Sequence, residues 1–316
     1  MGIHLLNTFL RTLSQNGSKK ISLNRLSGKK IVVDASIYLY RFKAMDALIE
    51  NMYLLCTLFR VNNIAVLFVF DGKSTKNKAN TLLKRKEQRD EARDEYKKCL
   101  NVVERLPADE REKMEEKMSS LRRKFVQVTY NDIEEVKRLL DAYGIRHITA
   151  DNEADELCAA LVIKGLAYAC LSEDTDLFAL GCYRVLKYIS LLNHTVVLYP
   201  LSTMLNSVNM KFDEFQQLCI LSGTDYNESR RNIFTFYKMF ERYNSRNRDE
   251  SFLSWLHMQN KITLQKYHQV RDVHEIYKKD PNIILKTMKY CLIRNKNVDK
   301  PKLKRILQHN GFIFVN

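Results

Sequence analysis

The sequence is short of the residues that define several large protein classes. It has only 9 glycines and 4 prolines among 316 residues, and it contains no low-complexity run. This excludes collagen-like chains, and an apolar content of 45% excludes disordered ones. No apolar run approaches the ~18 residues that a membrane span requires. We therefore expect a folded, soluble protein.

Paired cysteines are also missing. The chain has 7 cysteines, an odd number, and no C-x-x-C pair, which favours reduced thiols inside a cell over a disulfide or zinc framework. The first residues, MGIHLLNTFLRTL, predict a short amphipathic helix and are not followed by a signal cleavage site. Gly2 lacks the Ser or Thr at position 6 that myristoylation needs. We expect an intracellular protein without disulfides.

The charge is strongly and unevenly positive. The formal net charge is +15 and the pI is near 9.4, which favours a polyanionic partner such as nucleic acid. Counted by segment, residues 1–72 carry +5, 73–124 carry +6, 125–229 carry −8 and 230–316 carry +12. An acidic segment would repel the phosphates that the rest attracts, unless cations neutralise it. This pattern indicates a bound metal.

Carboxylates follow several runs that are typical of buried strands. The run IVVD ends in Asp34, AVLFVFD ends in Asp71, and AYACLSEDTD ends in Asp174 and Asp176. A fourth run, IRHITA, leads into a predicted helix that opens with Glu153 and Asp155. Helical patterns separate the strands, so we predict an α/β fold with a mostly parallel sheet. The carboxyl ends of parallel strands share one edge, where these acids would meet.

Such a set of carboxylates suits Mg²⁺ or Mn²⁺ better than zinc, because it offers oxygen ligands without histidine. Each acid also has a structural interpretation. Asp34 and Asp71 could cap turns or helices, Asp155 could belong to a capping arrangement with Asn152, and Asp174 and Asp176 could begin a turn. The acids of the helical stretch NDIEEVKRLLDAYG fit an ordinary solvated face.

These motifs resemble the flap endonuclease family of structure-specific 5′ nucleases, within the PIN-like nuclease superfamily. The resemblance rests on the opening MGI and on IVVDAS, FVFDGK, NEADELCAALV, SEDTDLFALG and LSGTDY, in family order over about 225 residues. It implies a mostly parallel central sheet with helices on both faces, a helical arch insertion and a helical C-terminal DNA-binding region. It also implies seven metal-site carboxylates: Asp34, Asp71, Glu153, Asp155, Asp174, Asp176 and Asp225.

The function that the resemblance implies is phosphodiester hydrolysis at two metal ions, Mg²⁺ with Mn²⁺ as a substitute. One ion would be held mainly by Asp34, Asp71, Glu153 and Asp155, and the other mainly by Asp155, Asp174, Asp176 and Asp225. The substrate would be DNA with 5′ flaps, nicks or related branches, in replication, repair or recombination, in the nucleus or at another site of DNA replication. Two alternatives stay open: a nuclease for RNA 5′ ends or four-way junctions, and an inactive nucleic-acid-binding scaffold.

The segment after Asp71 is basic and predicts a helix. Residues 73–89 contain seven basic residues and one acid, whereas residues 90–124 are balanced, with Pro107 between two helical stretches. By resemblance, residues 76–124 form the arch, and Lys78 and Arg85 would stabilise the transition state at the scissile phosphate. Arg89 would contact DNA, and Tyr40 would stack on a base or serve as a plain core tyrosine.

The C-terminal region departs from the family pattern. After LSGTDY the family has a glycine-rich turn between two helices, but here Asn232 and Phe234 replace two glycines. We expect an altered hairpin in which Arg230, Arg231 and Lys238 hold the duplex instead. The tail contains no clear sliding-clamp-binding peptide. We predict a nuclease core over 1–75 and 125–229, the arch over 76–124, and a basic, mainly helical region over 230–316.

Overall fold

The computed structural model describes residues 3–13, 17–72, 79–103, 107–245, 250–278, 280–286 and 293–314. Seven strands in these ranges form one sheet: β1 Lys19–Ser22, β2 Lys30–Asp34, β3 Ala65–Phe70, β4 Arg146–Thr149, β5 Ala169–Leu171, β6 Arg184–Ser190 and β7 Thr195–Pro200. Their spatial order is β1-β7-β6-β5-β2-β3-β4. Strands β2 to β6 are parallel to one another, and β7 is antiparallel to both β6 and β1.

The α-helices in these ranges are between 4 and 25 residues long. They are α1 Leu6–Leu13, α2 Ala35–Lys43, α3 Leu48–Val61, α4 Ala79–Val103, α5 Ala108–Phe125, α6 Tyr130–Ala142, α7 Ala154–Ile163, α8 Asp176–Ala179, α9 Leu201–Ser207, α10 Phe212–Leu221, α11 Ile233–Asn244, α12 Phe252–Met258, α13 Leu264–Tyr277, α14 Pro281–Lys286 and α15 Lys300–His309. No helix among the described residues is long and apolar enough to cross a membrane.

Both faces of the sheet are covered, and the central strands show why. In β2, Ile31 and Val33 belong to one apolar cluster and Val32 to the other, because successive side chains of a strand point to opposite faces. Helices α2, α3, α6 and α15 contribute to the first cluster, and α1 and α7 to α13 contribute to the second. The predicted α/β class with a mostly parallel sheet is confirmed, and the antiparallel edge made by β7 and β1 was not predicted.

Helices α4 and α5 pack on each other with a small core of their own. Ala92, Cys99 and Leu121 are buried between them, and the Tyr96 and Phe125 rings meet edge to face with centroids 5.2 Å apart. Pro107 directly precedes α5. Proline is tolerated at a helix start because the first amides of a helix have no intrahelical acceptor, so its missing N–H loses no hydrogen bond. The assignment of these two helices to an arch stays a prediction.

The end of the chain returns to the sheet after the helices α10 to α14. Asn295 donates to the Ile64 carbonyl at 2.8 Å and accepts from the Val66 amide at 3.3 Å, where β3 begins. Further on, Leu307 of α15 is buried in the first apolar cluster, and Asn310 donates to Glu135 Oε1 at 2.9 Å. The last helix thus packs against α6 rather than extending the C-terminal helical region.

Candidate functional site

Asp34 ends the central strand β2 and is buried. Its Oδ2 accepts a hydrogen bond of 2.8 Å from Ser172 Oγ, at the end of the neighbouring strand β5. Burial and then the nearby charge of Asp71 raise the pKa of Asp34 to about 7, and the charge of Asp174 acts in the same direction. Negative charge from three strand ends is therefore concentrated around a buried carboxyl group.

Asp71 follows β3 and is exposed at the same edge. Its Oδ1 accepts the Ala154 amide at 2.9 Å, and its Oδ2 accepts the Ser36 hydroxyl. The backbone at Gly72 lies so close to the Ala150 carbonyl oxygen that a Cβ would be only 1.9 Å from it, so this position requires glycine. The two hydrogen bonds fix the Asp71 carboxylate between the starts of α2 and α7.

Glu153 and Asp155 flank the start of α7. Glu153 is the residue before the helix, with extended backbone angles, and Asp155 lies in the first turn, where its Oδ1 accepts the Glu156 amide at 2.7 Å. Both side chains are partly exposed. Because Ala154 between them donates to Asp71, the first turn of α7 is tied to the end of β3.

The short connection from β5 to α8 carries Asp174 and Asp176. Asp174 is half-buried, and Asp176 is buried as the first residue of α8. Asp174 donates its amide to Ser172 Oγ at 3.0 Å, and its Oδ1 accepts the Asp176 amide at 3.1 Å. Thr175 Oγ1 accepts the Ile3 amide at 2.8 Å, so the start of the chain packs on this connection. Asp225 lies further along, half-buried in the turn after α10.

The predicted ligands are thus placed on strand ends, a helix start and one turn. The raised pKa shows that Asp34, Asp71 and Asp174 interact. Among the described residues, however, no group of three or more His, Cys, Asp or Glu side chains is arranged to hold a metal ion. The ligand set as a whole stays a prediction.

The other predicted site residues are less fully described. Lys78 lies outside the described residues, and Arg85 lies in α4 but its side chain is outside them. Arg89 is half-buried on the same helix. Tyr40 on α2 is 44% exposed, which removes the plain core interpretation of this tyrosine and leaves its ring accessible.

Helices α10 and α11 pack together and are joined by residues 222–232. Asn232 caps α11, since its Oδ1 accepts the Thr235 amide at 3.1 Å with φ at −88°. Phe234 lies in the first turn of α11 and meets Phe9 of α1 edge to face, with centroids 5.7 Å apart. Arg230, Arg231 and Lys238 are exposed. Asn232 and Phe234, which the resemblance places at glycine positions, therefore have ordinary helical roles.

Sequence reasoning missed one buried cation near the acids. Lys187 of β6 is fully buried, and its Nζ donates to the Glu173 carbonyl at 2.6 Å. Burial lowers the pKa of Lys187 to about 8, while the charges of Glu173 and Asp174 act in the opposite direction. In the sequence RVLKYIS the lysine looks like an outward-facing strand residue, so no local signal identifies it.

Comparison with known proteins finds two family regions in the chain. The XPG N-terminal domain matches residues 1–92, and the XPG I-region matches residues 144–225. Together they cover more than half of the chain, and six of the seven predicted ligands lie within them away from the boundaries, with Asp225 as the last matched residue. Lys78, Arg85 and Arg89 lie in the first region and residues 93–143 lie in neither.

The chain is similar to flap endonuclease 1 of Entamoeba histolytica, with 29% identity over 88% of this chain and 75% of the relative. With flap endonuclease 1 of Nematostella vectensis it shares 32% identity over 74% of this chain and 64% of the relative. Among solved structures, the catalytic core of Rad2 in complex with DNA substrate gives a TM-score of 0.67 at 22% identity, covering 98% and 95% of the two chains. Human GEN1 in complex with Holliday junction DNA gives 0.62 at 16% identity, covering 98% and 74%.

Proposed function

The chain belongs to the flap endonuclease family of XPG and PIN-like nucleases, and on this basis we propose that it is a metal-dependent, structure-specific 5′ nuclease. Its substrate is DNA that carries 5′ flaps, nicks or related branches. The reaction is hydrolysis of a phosphodiester bond. Substrates of this kind arise in replication, repair and recombination, so its place of action is the nucleus or another site of DNA replication.

The observation that carries the proposal is the buried carboxyl group of Asp34 at the end of the central strand. Burial, and then the charges of Asp71 and Asp174, raise its pKa to about 7. A protein that only needed a stable core would gain by replacing Asp34 with an apolar residue, because burying a carboxylate costs several kcal/mol. Such a cost is typical of a functional site.

The chemistry of the acids fits Mg²⁺, with Mn²⁺ as a substitute. All seven predicted ligands supply carboxylate oxygens, which hard divalent cations prefer, and a cation would relieve the repulsion that raises the pKa of Asp34. We assign one ion mainly to Asp34, Asp71, Glu153 and Asp155, and the second mainly to Asp155, Asp174, Asp176 and Asp225. Two bound ions would supply an activated water and charge neutralisation at the phosphate.

The residues of the chain itself orient this site. Asp71 is held by the Ser36 hydroxyl and the Ala154 amide, and Asp34 is held by Ser172, so both carboxylates are positioned before substrate arrives. The exposed ring of Tyr40 offers a stacking surface for an unpaired base. Lys78 and Arg85, at the start of the arch, stabilise the charge that develops on the phosphate.

The basic surface supplies the affinity for DNA. Residues 230–316 carry +12, and Arg230, Arg231, Lys238 and Arg242 are exposed around the helix pair α10 and α11. Such side chains bind the phosphate backbone without reading its sequence. Selection among substrates then depends on the branched shape of the DNA and not on its bases.

A cleavage assay on a substrate panel tests the proposal. One 5′-labelled strand is presented as a flap, nick, gap, bubble, four-way junction and RNA hybrid, with Mg²⁺ or with a chelator, beside the Asp176→Ala variant. We expect Mg²⁺-dependent cutting of the flap and the nick, and none by the variant. Preferential cutting of the four-way junction or the RNA hybrid would replace the substrate assignment, and binding without cutting on every substrate would make the protein a scaffold.

A further inference from the structure

A buried lysine braces the connection that carries Asp174 and Asp176. Lys187 lies in the interior of β6, and its side chain is fully buried. Its ammonium donates to the carbonyl oxygen of Glu173 at 2.6 Å and approaches that of Asp174 at 3.4 Å. The two acceptors belong to consecutive peptide units, so one side chain fixes the orientation of the backbone on both sides of Asp174.

A second link joins the same two segments. The amide of Tyr188 donates to Glu173 Oε1 at 2.7 Å, and Arg41 of α2 lies 3.9 Å from the same carboxylate oxygen. Tyr188 has a φ of +56°, and the pairing of β6 with β7 shifts register between Lys187 and Ser190. Lys187 is the last regularly paired residue before this irregularity, and Tyr188, which follows it, is 37% exposed.

The arrangement is costly, which makes a purely structural role a poor explanation. An ammonium group that leaves water loses several kcal/mol of solvation, and an apolar side chain of similar volume is often neutral or stabilising in such a position. A left-handed backbone at a tyrosine is also strained. Both costs fall on neighbouring residues of β6 that contact the β5–α8 connection: Lys187 contacts the Glu173 and Asp174 carbonyls, and the Tyr188 amide contacts the Glu173 carboxylate.

We propose that Lys187 is a positioning residue, which holds the β5–α8 connection so that the Asp174 and Asp176 carboxylates are fixed for metal binding. The inference deepens the proposed function and rests on it. Asp174 Oδ1 accepts the Asp176 amide, so a shift of the peptide units around Asp174 moves both carboxylates. Groups that orient metal ligands in this way are worth ~10- to 100-fold in metal affinity when they are removed.

The test compares Lys187→Met with wild type in the whole protein. Methionine keeps the length of the buried side chain and removes the donor. We expect Mn²⁺ binding, followed by the free-ion signal in electron paramagnetic resonance, to weaken about 10- to 100-fold. Hydrogen exchange of the metal-free protein should become faster at the amides of residues 174–176. Cleavage should fall at low Mn²⁺ and recover when Mn²⁺ is raised to saturation.

Two further variants separate positioning from packing. Ile189→Met changes another buried residue of β6 and should leave Mn²⁺ affinity and the exchange of residues 174–176 unchanged. Lys187→Gln keeps a neutral donor for the Glu173 carbonyl and should recover part of the loss, and it also serves if Lys187→Met does not fold.

Unchanged Mn²⁺ affinity and unchanged hydrogen exchange in Lys187→Met would overturn the proposal that Lys187 positions the β5–α8 connection. Equal effects of Ile189→Met would overturn it too. Neither result would contradict the proposed nuclease function, which has a separate test. If Asp174→Ala cut DNA like wild type, the site itself would be misplaced, whatever the Lys187 variants show.

Discussion

Ser172 Oγ donates a hydrogen bond of 2.8 Å to Asp34 Oδ2, and so joins the carboxyl ends of the neighbouring parallel strands β5 and β2. Asp34 is buried, and this bond favours its ionised form. Burial and the charges of Asp71 and Asp174 oppose that form and dominate. The centre of the site therefore destabilises the fold in the absence of a cation.

This conflict predicts a distinctive pH dependence. The pKa of Asp34 rises from 3.8 to about 7 on folding, so the folded protein binds a proton more tightly than the unfolded chain. The contribution of Asp34 to the free energy of unfolding should fall as pH rises from about 4 to about 7, and stay level above pH 7. At ~1.4 kcal/mol per pKa unit, the fall is at most about 4 kcal/mol.

Asp34→Asn removes this titration while keeping the shape of the side chain. In denaturant unfolding of the metal-free protein, the free energy of unfolding of the variant relative to wild type should increase as pH rises to 7. Cleavage by the variant should be abolished. Mg²⁺ should stabilise wild type at pH 8 and have a smaller effect on the variant. If the difference in free energy of unfolding between the two proteins were constant across this pH range, the pKa of Asp34 would not be raised by folding.

Phe234, which the family resemblance places at a glycine position, contacts Phe9 and so joins α11 to α1. Phe234→Gly should lower the free energy of unfolding by about 2–4 kcal/mol, because it loses an aromatic contact and places glycine in a helix. Phe234→Leu is the matched control and should cost less than ~1.5 kcal/mol. If Phe234→Gly left the free energy of unfolding unchanged and bound DNA more tightly, the region would still be able to form a DNA-binding glycine hairpin.

Arg230 and Arg231 are exposed at the turn before α11, and we expect them to contact the duplex backbone. Arg230→Ala with Arg231→Ala should flatten the log-log salt dependence of DNA affinity by up to about two units. The measurement is a salt titration of flap DNA binding in Ca²⁺, which blocks turnover. Lys302→Ala with Arg305→Ala, two exposed residues of α15, controls for net charge. Equal slopes for both double variants would shift attention to Lys238 and Arg242.

Lys78 and Arg85 are expected to act on the transition state rather than on binding. Lys78→Ala and Arg85→Ala should each slow single-turnover cleavage more than they weaken affinity, since the chain has 52 basic residues and two contribute little to total binding. Arg89→Ala, on α4 with Arg85, is the control and should affect binding at least as much as rate. Proportional losses of rate and affinity in Lys78→Ala would make that residue an ordinary phosphate contact.

The strands that carry the acids could be predicted because their sequences are almost continuously apolar and end in Asp. The predicted runs IVVD, AVLFVFD and AYACLSEDTD overlap β2, β3 and β5, whose residues are almost all buried, as expected for strands covered on both faces. Strand β6 could not be recognised in this way. Its Lys187 is buried because both faces of the sheet are covered, and its ammonium is satisfied by the Glu173 and Asp174 carbonyls, which belong to another segment.

The role of Phe234 was equally hidden. From sequence alone, a bulky residue in place of glycine indicates only that a tight turn is lost. Its partner, Phe9, lies 225 positions earlier in α1, and local patterns carry no information on contacts of that separation. The placement of Asp34, Asp71 and Asp174 at one edge could be predicted without knowledge of individual contacts, because the carboxyl ends of parallel strands share a sheet edge.

The most direct test of the central claim is single-turnover cleavage of a 5′-flap substrate by Asp174→Ala and Asp176→Ala in saturating Mg²⁺, beside their affinity for the same DNA in Ca²⁺. Each substitution removes a predicted metal ligand and no basic contact, so we expect cleavage to be abolished while affinity stays within a few-fold of wild type. Cleavage at a near wild-type rate by either folded variant would contradict the assignment of the acids at the strand ends as the catalytic metal site.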